Sequence, residues 1–138
     1  MISRRVEWFE RLKDYNAAVA ETPFMWGVHD CVLYAAGAVF AQTGHDFAKA
    51  FRGHYSTELG GARAIRRFGA GTLEASVTAL LGDPIHISLV KRGDVVMFDG
   101  SLGICLGLKS SFVGQNAARE GLIEVATKTC SHGWTVAF

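Results

Sequence analysis

Residues 26–40 read Trp-Gly-Val-His-Asp-Cys-Val-Leu-Tyr-Ala-Ala-Gly-Ala-Val-Phe, an aromatic-Gly turn running into Asp-Cys and then an apolar, alanine-rich stretch. Asp30 is a strong N-cap residue, because its carboxylate accepts bonds from the unpaired amides of a helix's first turn. The pattern therefore predicts a central helix from about Asp30 to Gln42, closed by Thr43-Gly44. Cys31 then falls at or near the first helical position, where the positive end of the helix dipole favours thiolate over thiol. Two readings of Cys31 stand side by side: a reactive thiol, or a small apolar side chain on the core side of the helix.

The rest of the chain arranges itself before and after this helix. Ile2, Val6, Phe9 and Leu12 recur at three- and four-residue steps, predicting an amphipathic packing helix that ends before Thr22-Pro23. A short helical turn is expected over 46–51. Ser56 or Thr57 opens a further helix through Arg67, with Arg63, Arg66 and Arg67 forming a solvated basic face. Thr72 caps another, to Leu81, ended by Gly82-Asp83-Pro84. The second half changes character. Lys91-Arg92-Gly93-Asp94 reads as a turn, not an adhesion motif, and Val95–Phe98 as a buried strand. Asp99-Gly100 is a hairpin signal with Leu102–Gly107 as partner strand. Further strands are expected at 111–113, 122–126 and 134–137. Helices first and strands later predict a single α+β domain over residues 1–138, a small antiparallel sheet packed against the N-terminal helices.

Composition excludes several classes of function. A formal charge of +1 on 138 residues supplies no field for nucleic acid or an anionic membrane surface. No run of about twenty apolar residues occurs, so no membrane-spanning helix is expected, and the basic N-terminus lacks the apolar core of a signal peptide. The chain reads as a product of the cytoplasm. Its cysteine count of 3 is odd and has no framework spacing, which favours a reducing compartment. His29, Cys31, Cys105, Cys130 and His132 are nominal zinc ligands. Their single-residue gaps suit a structural knuckle poorly, so no metal and no cofactor are expected.

Several stretches together carry a resemblance. Trp26-Gly27 shortly before Asp30-Cys31, Arg92-Gly93-Asp94-Val95-Val96 entering a strand, and Gly103-Ile104-Cys105-Leu106-Gly107 on the next resemble the NlpC-type papain-like hydrolases, which cut peptidoglycan stem peptides with a Cys-His pair. A family of small bacteriophage tail-tip and tail-assembly proteins is similar over nearly the whole chain. That similarity adds Pro23-Phe24, Thr43-Gly44, Phe51-Arg52-Gly53, Gly60-Gly61-Ala62-Arg63, Leu81-Gly82-Asp83-Pro84-Ile85 and Trp134-Thr135-Val136. The resemblance implies a papain-like fold and a virion-tail location, with the protein made in the bacterial host.

It also implies which residues should carry catalysis, and the chain departs from the pattern. Cys31 matches the nucleophile. The position of the catalytic histidine is Ser101, whose hydroxyl is no efficient general base near neutrality. The orienting third residue falls near Gly114, with Gln115 beside it, and the tyrosine usually preceding the Trp-Gly is Phe24. His29 and His132 are the candidate substitute bases, although residues so close as His29 and Cys31 tend to diverge at a helix start. His45, His54 and His86 are expected to be exposed. The first expectation is thus a pseudoenzyme: a tail-tip or tail-assembly protein docking other tail proteins, such as the hub. Phe24, Trp26, Gly27, Asp30 and the cleft around them would form the interface, with Trp134 a further anchor. The alternative is a cysteine endopeptidase or amidase opening host peptidoglycan during genome delivery, with part of its oxyanion site from the Cys31 amide.

Overall fold

The computed structural model describes residues 3–114 and 121–137. Helix α1 spans Trp8–Val19, α2 Cys31–Thr43, α3 Glu58–Phe68 and α4 Leu73–Leu81. Asp30 is extended and accepts the Leu33 amide at 3.0 Å, so α2 starts on the residue its sequence marked. It ends where Gly44, at φ 76°, donates to the Phe40 carbonyl. Between these caps α2 buries Leu33, Tyr34, Ala35, Ala36, Ala38, Val39 and even Gln42. A helix apolar on nearly every side belongs in the middle of a fold, and α2 is packed by α1 and by the sheet. Thr57 and Thr72 cap α3 and α4 through their hydroxyls. Residues 47–53 form turns and no helix.

The first helix departs from its expected stripe. Val6 is 99% exposed, Ile2 lies outside the described residues, and the packing face runs through Trp8, Leu12, Tyr15 and Val19. The cause is tertiary. The Arg4 amide donates to Ala137 O and the Arg5 amide to Gln42 O, tying this segment to the C-terminus and to α2 as a strap. The helix therefore begins later and in a different phase.

The strands are β1 Ile85–His86, β2 Val95–Phe98, β3 Ser101–Cys105, β4 Lys109–Val113, β5 Leu122–Ala126 and β6 His132–Trp134. They form one antiparallel sheet in the order β1-β6-β2-β3-β4-β5. Alternation along the strands builds two faces. One carries Val95, Met97, Leu102, Ile104, Val113 and Trp134 into the main core with α2; the other gathers Val96, Cys105, Phe112 and Cys130 with Ile87, Val90 and Phe98. The fold is α+β, as expected. The last strand starts at His132 and ends at Trp134, three residues short of the expected end, because Asp94 Oδ1 takes the Val136 amide at 3.0 Å, ending the ladder. β1, only two residues long, had no sequence signal.

The Arg92-Gly93-Asp94 tripeptide is a structural turn. Asp94 is 2% exposed and accepts from Arg4 (3.0 Å), the Lys91 amide (2.9 Å) and the Val136 amide (3.0 Å). Gln42 joins the cluster, receiving Arg4 Nε at 2.8 Å and donating to Gly93 O at 2.9 Å. This buried network binds the N-terminal strap, α2, the turn before β2 and the C-terminal segment. Among the described residues no helix is long and apolar enough to cross a membrane.

Candidate functional site

Cys31 is the first residue of α2, and the loop before it is held by Asp30. That carboxylate, 1% exposed, accepts the Gly27 and Leu33 amides at 3.0 Å each and the Tyr55 hydroxyl as well. Gly27 sits at φ 81°, and a Cβ there would lie 2.1 Å from the Tyr55 carbonyl oxygen. Only glycine lets the two loops approach so closely. The Trp26-Gly27 pair therefore has a mechanical reason: it packs the loop against Tyr55 while Trp26 meets Phe24 edge-on, 4.9 Å between centroids. Both rings are partly buried.

Above this loop lies a cavity of about 450 Å³. Cys31, Trp26, Val32, Phe51 and Tyr55 form one side, Ile65 and Leu73 another, and the β2–β3 hairpin closes it with Asp99, Gly100 and Ser101. The structure thus brings Cys31 and Ser101 to one site. Burial pushes the Cys31 thiol above its ordinary 9.0, and the charge of Asp30 pushes the same way. Amides of Leu102, Val32 and Cys31 favour the thiolate but do not prevail. The thiolate expected from the helix dipole is outweighed by desolvation. Burial, then the neighbouring Asp30 carboxylate, also raises the Tyr55 phenol strongly.

All 5 histidines fall within the described residues, and none lines this cavity. His29 is 6% exposed, edge-on to Tyr34 at 6.1 Å, with Nε2 buried and unpartnered. Burial lowers its pKa, so it is a neutral ring in the core. His132 lies on β6, opposite Met97, which is itself opposite Leu102 of β3; two strand spacings, about 10 Å, separate it from that residue. Its Nε2 is 2.8 Å from Glu74 Oε1, a close contact without the alignment of a hydrogen bond. His45, His54 and His86 are exposed. Gln115 lies outside the described residues.

The remaining candidates are scattered. Cys105 and Cys130 are buried together on the second face of the sheet, away from the helix that carries Cys31. The nominal zinc ligands are therefore not assembled. Trp134 is fully buried, its Nε1 donating to Thr78 Oγ1 at 3.0 Å, which removes it as a docking anchor. Asp30 is likewise inward, a support for the site and not part of its surface. Sequence reasoning missed Tyr55, a single aromatic in a polar loop with no periodicity around it. Phe24 carries no hydroxyl, and Tyr55 supplies one to Asp30 from elsewhere in the chain.

Fold and site together define an α+β protein whose central helix presents a cysteine to a cavity closed by a β-hairpin. Residues 3–136 match the family described as Domain of unknown function (DUF6950), and the chain belongs to that family. No curated protein matches the sequence at a significant level.

Proposed function

We propose that this protein is a bacteriophage tail-tip or tail-assembly component with a papain-like, NlpC-type fold and an incomplete catalytic site. The observation that carries the second half of this reading is the cavity shared by Cys31 and Ser101 without an imidazole on its wall. Cysteine hydrolysis needs a thiolate and a proton carrier within hydrogen-bond reach of it. Here burial holds the sulfur as a thiol, and the residue standing where the resemblance implies a base is a hydroxyl. The tail assignment is supported by the stretches of similarity along the chain. A fold of this kind keeps its stability without its chemistry, because helix-on-sheet burial and not the site holds it together. The partly buried Phe24 and Trp26 at the cavity edge then serve contacts with neighbouring tail proteins, such as the hub.

The test is genetic and enzymatic. In a phage carrying this gene, deletion is expected to stop tail assembly, and a Cys31→Ala copy to restore infectious particles at the parental level. Purified protein is expected to release no soluble peptides from peptidoglycan sacculi. Release that disappears in Cys31→Ala would make it the peptidoglycan hydrolase. Normal tails from the deletion strain would remove the tail role.

A further inference from the structure

A second groove, of about 490 Å³, lies away from Cys31. It is lined by Ile87 and Ser88 of the 3₁₀ turn Ile87–Leu89, by the tip of the β3–β4 hairpin at Gly107–Lys109, and by Ala126, Thr127 and Lys128. Its floor is fixed by hydrogen bonds. The Thr127 amide donates to Leu108 O at 2.9 Å, the Thr127 hydroxyl to Gly107 O at 2.7 Å, and Ser110 shares a 2.7 Å bond with that hydroxyl. The hairpin tip is thereby stitched to the turn after β5.

On this rigid floor one large apolar side chain stands in water: Leu108 is 91% exposed. The charged residues lining the groove are Lys109 and Lys128, both exposed, and neither joins an ion pair among the described residues. Glu124, on the strand beside Lys109, faces Ser111 in the register and makes no such pair either. With a formal charge of only +1 on the whole chain, the two lysines are a local feature and not part of a general basic field. An apolar anchor flanked by unpaired charges of one sign is complementary to the opposite arrangement on a partner.

We propose that this groove docks a segment of another protein in which an apolar side chain is flanked by carboxylates. Leu108 supplies buried area, and the lysines select the partner by charge and suppress basic competitors. Nothing in this proposal rests on the reading of the Cys31 cavity, from which it is separately testable.

The experiment is an amide-resolved NMR titration of the full chain with three capped peptides, Glu-Leu-Leu-Glu, Gln-Leu-Leu-Gln and Lys-Leu-Leu-Lys. The acidic peptide is expected to shift Ile87–Leu89, Leu108, Lys109, Thr127 and Lys128. Two exposed charge pairs make it about two- to thirtyfold tighter than the neutral peptide at low salt, a margin that salt erodes. A Lys109→Glu, Lys128→Glu double variant is expected to transfer the preference to the basic peptide, and Leu108→Asp to weaken all three. These residues are exposed, so unchanged spectral dispersion elsewhere will show that the variants fold. Equal affinity for acidic and neutral peptides overturns the proposal, as does an absence of shifts in the groove at millimolar acidic peptide. So does binding of phosphatidylglycerol vesicles through Leu108, or self-association abolished by Leu108→Asp.

Discussion

Replacing Ser101 by histidine places an imidazole on the wall of the cavity that Cys31 also lines, and the consequence for the sulfur can be worked out. A thiol at its ordinary 9.0 is about 1% ionised at pH 7, and burial holds Cys31 below that fraction. Pairing with an imidazolium brings cysteines to about 3.5–7.5. Taking about 7 for Ser101→His, thiolate at pH 7 rises roughly 50-fold. Intrinsic nucleophilicity falls with pKa, by about eightfold over two units at a Brønsted slope of 0.4–0.5. The net expectation is alkylation about sixfold faster at neutral pH, with the inflection moved from above 9 to near 7. The assay is iodoacetamide labelling between pH 6 and 10, resolved by peptide mass spectrometry, with buried Cys105 and Cys130 as slow internal references. A parental Cys31 already fully reactive at pH 7 would refute the argument from burial. A Ser101→His profile superimposed on the parent would refute the placement of Ser101 against the sulfur.

Three further outcomes are expected. Asp94→Ala removes the carboxylate 3.0 Å from the buried Arg4 guanidinium and should cost about 3–5 kcal/mol by urea denaturation. A loss under about 1 kcal/mol would show that the remaining partners of Arg4, Gln42 and the Arg92 carbonyl among them, suffice. Gly103→Ala drives a Cβ to within 2.4 Å of the Phe112 ring and 2.5 Å of Ser111 O, and should cost about 1–3 kcal/mol by the same measurement. His29 is held below its ordinary 6.5 by burial, so the folded state binds its proton less tightly than the unfolded chain. Its contribution is complete above that value and drains as pH falls through 6.5 toward the lower folded value. Melting temperature should therefore fall on acidification through this window, and a His29→Phe variant should lose that part of the slope.

What was legible in the sequence is what neighbouring residues decide. Asp30, the Ser56-Thr57 pair and Thr72 announced three helix starts, Gly44 an end, and Asp99-Gly100 the hairpin; strands at 95–98 and 122–126 fall on their expected bounds. What was illegible is decided by distant partners. The phase of α1 depends on amides of Arg4 and Arg5 that bond to Ala137 and Gln42, and the end of β6 on a carboxylate at position 94. The site divides the same way. Its pairing of position 31 with position 101 was readable from the resemblance, whereas the state of the sulfur was not. A helix N-terminus favours thiolate only while its positive end faces the sulfur unopposed and wet. At this one the N-cap is itself an anion, closed in by Gly27, Leu33 and Tyr55, and it raises the Cys31 pKa together with burial. The residue that makes the helix start here therefore works against ionisation of the thiol it places. Only a cation facing the sulfur from across the cavity reverses that balance, and across the cavity stands Ser101.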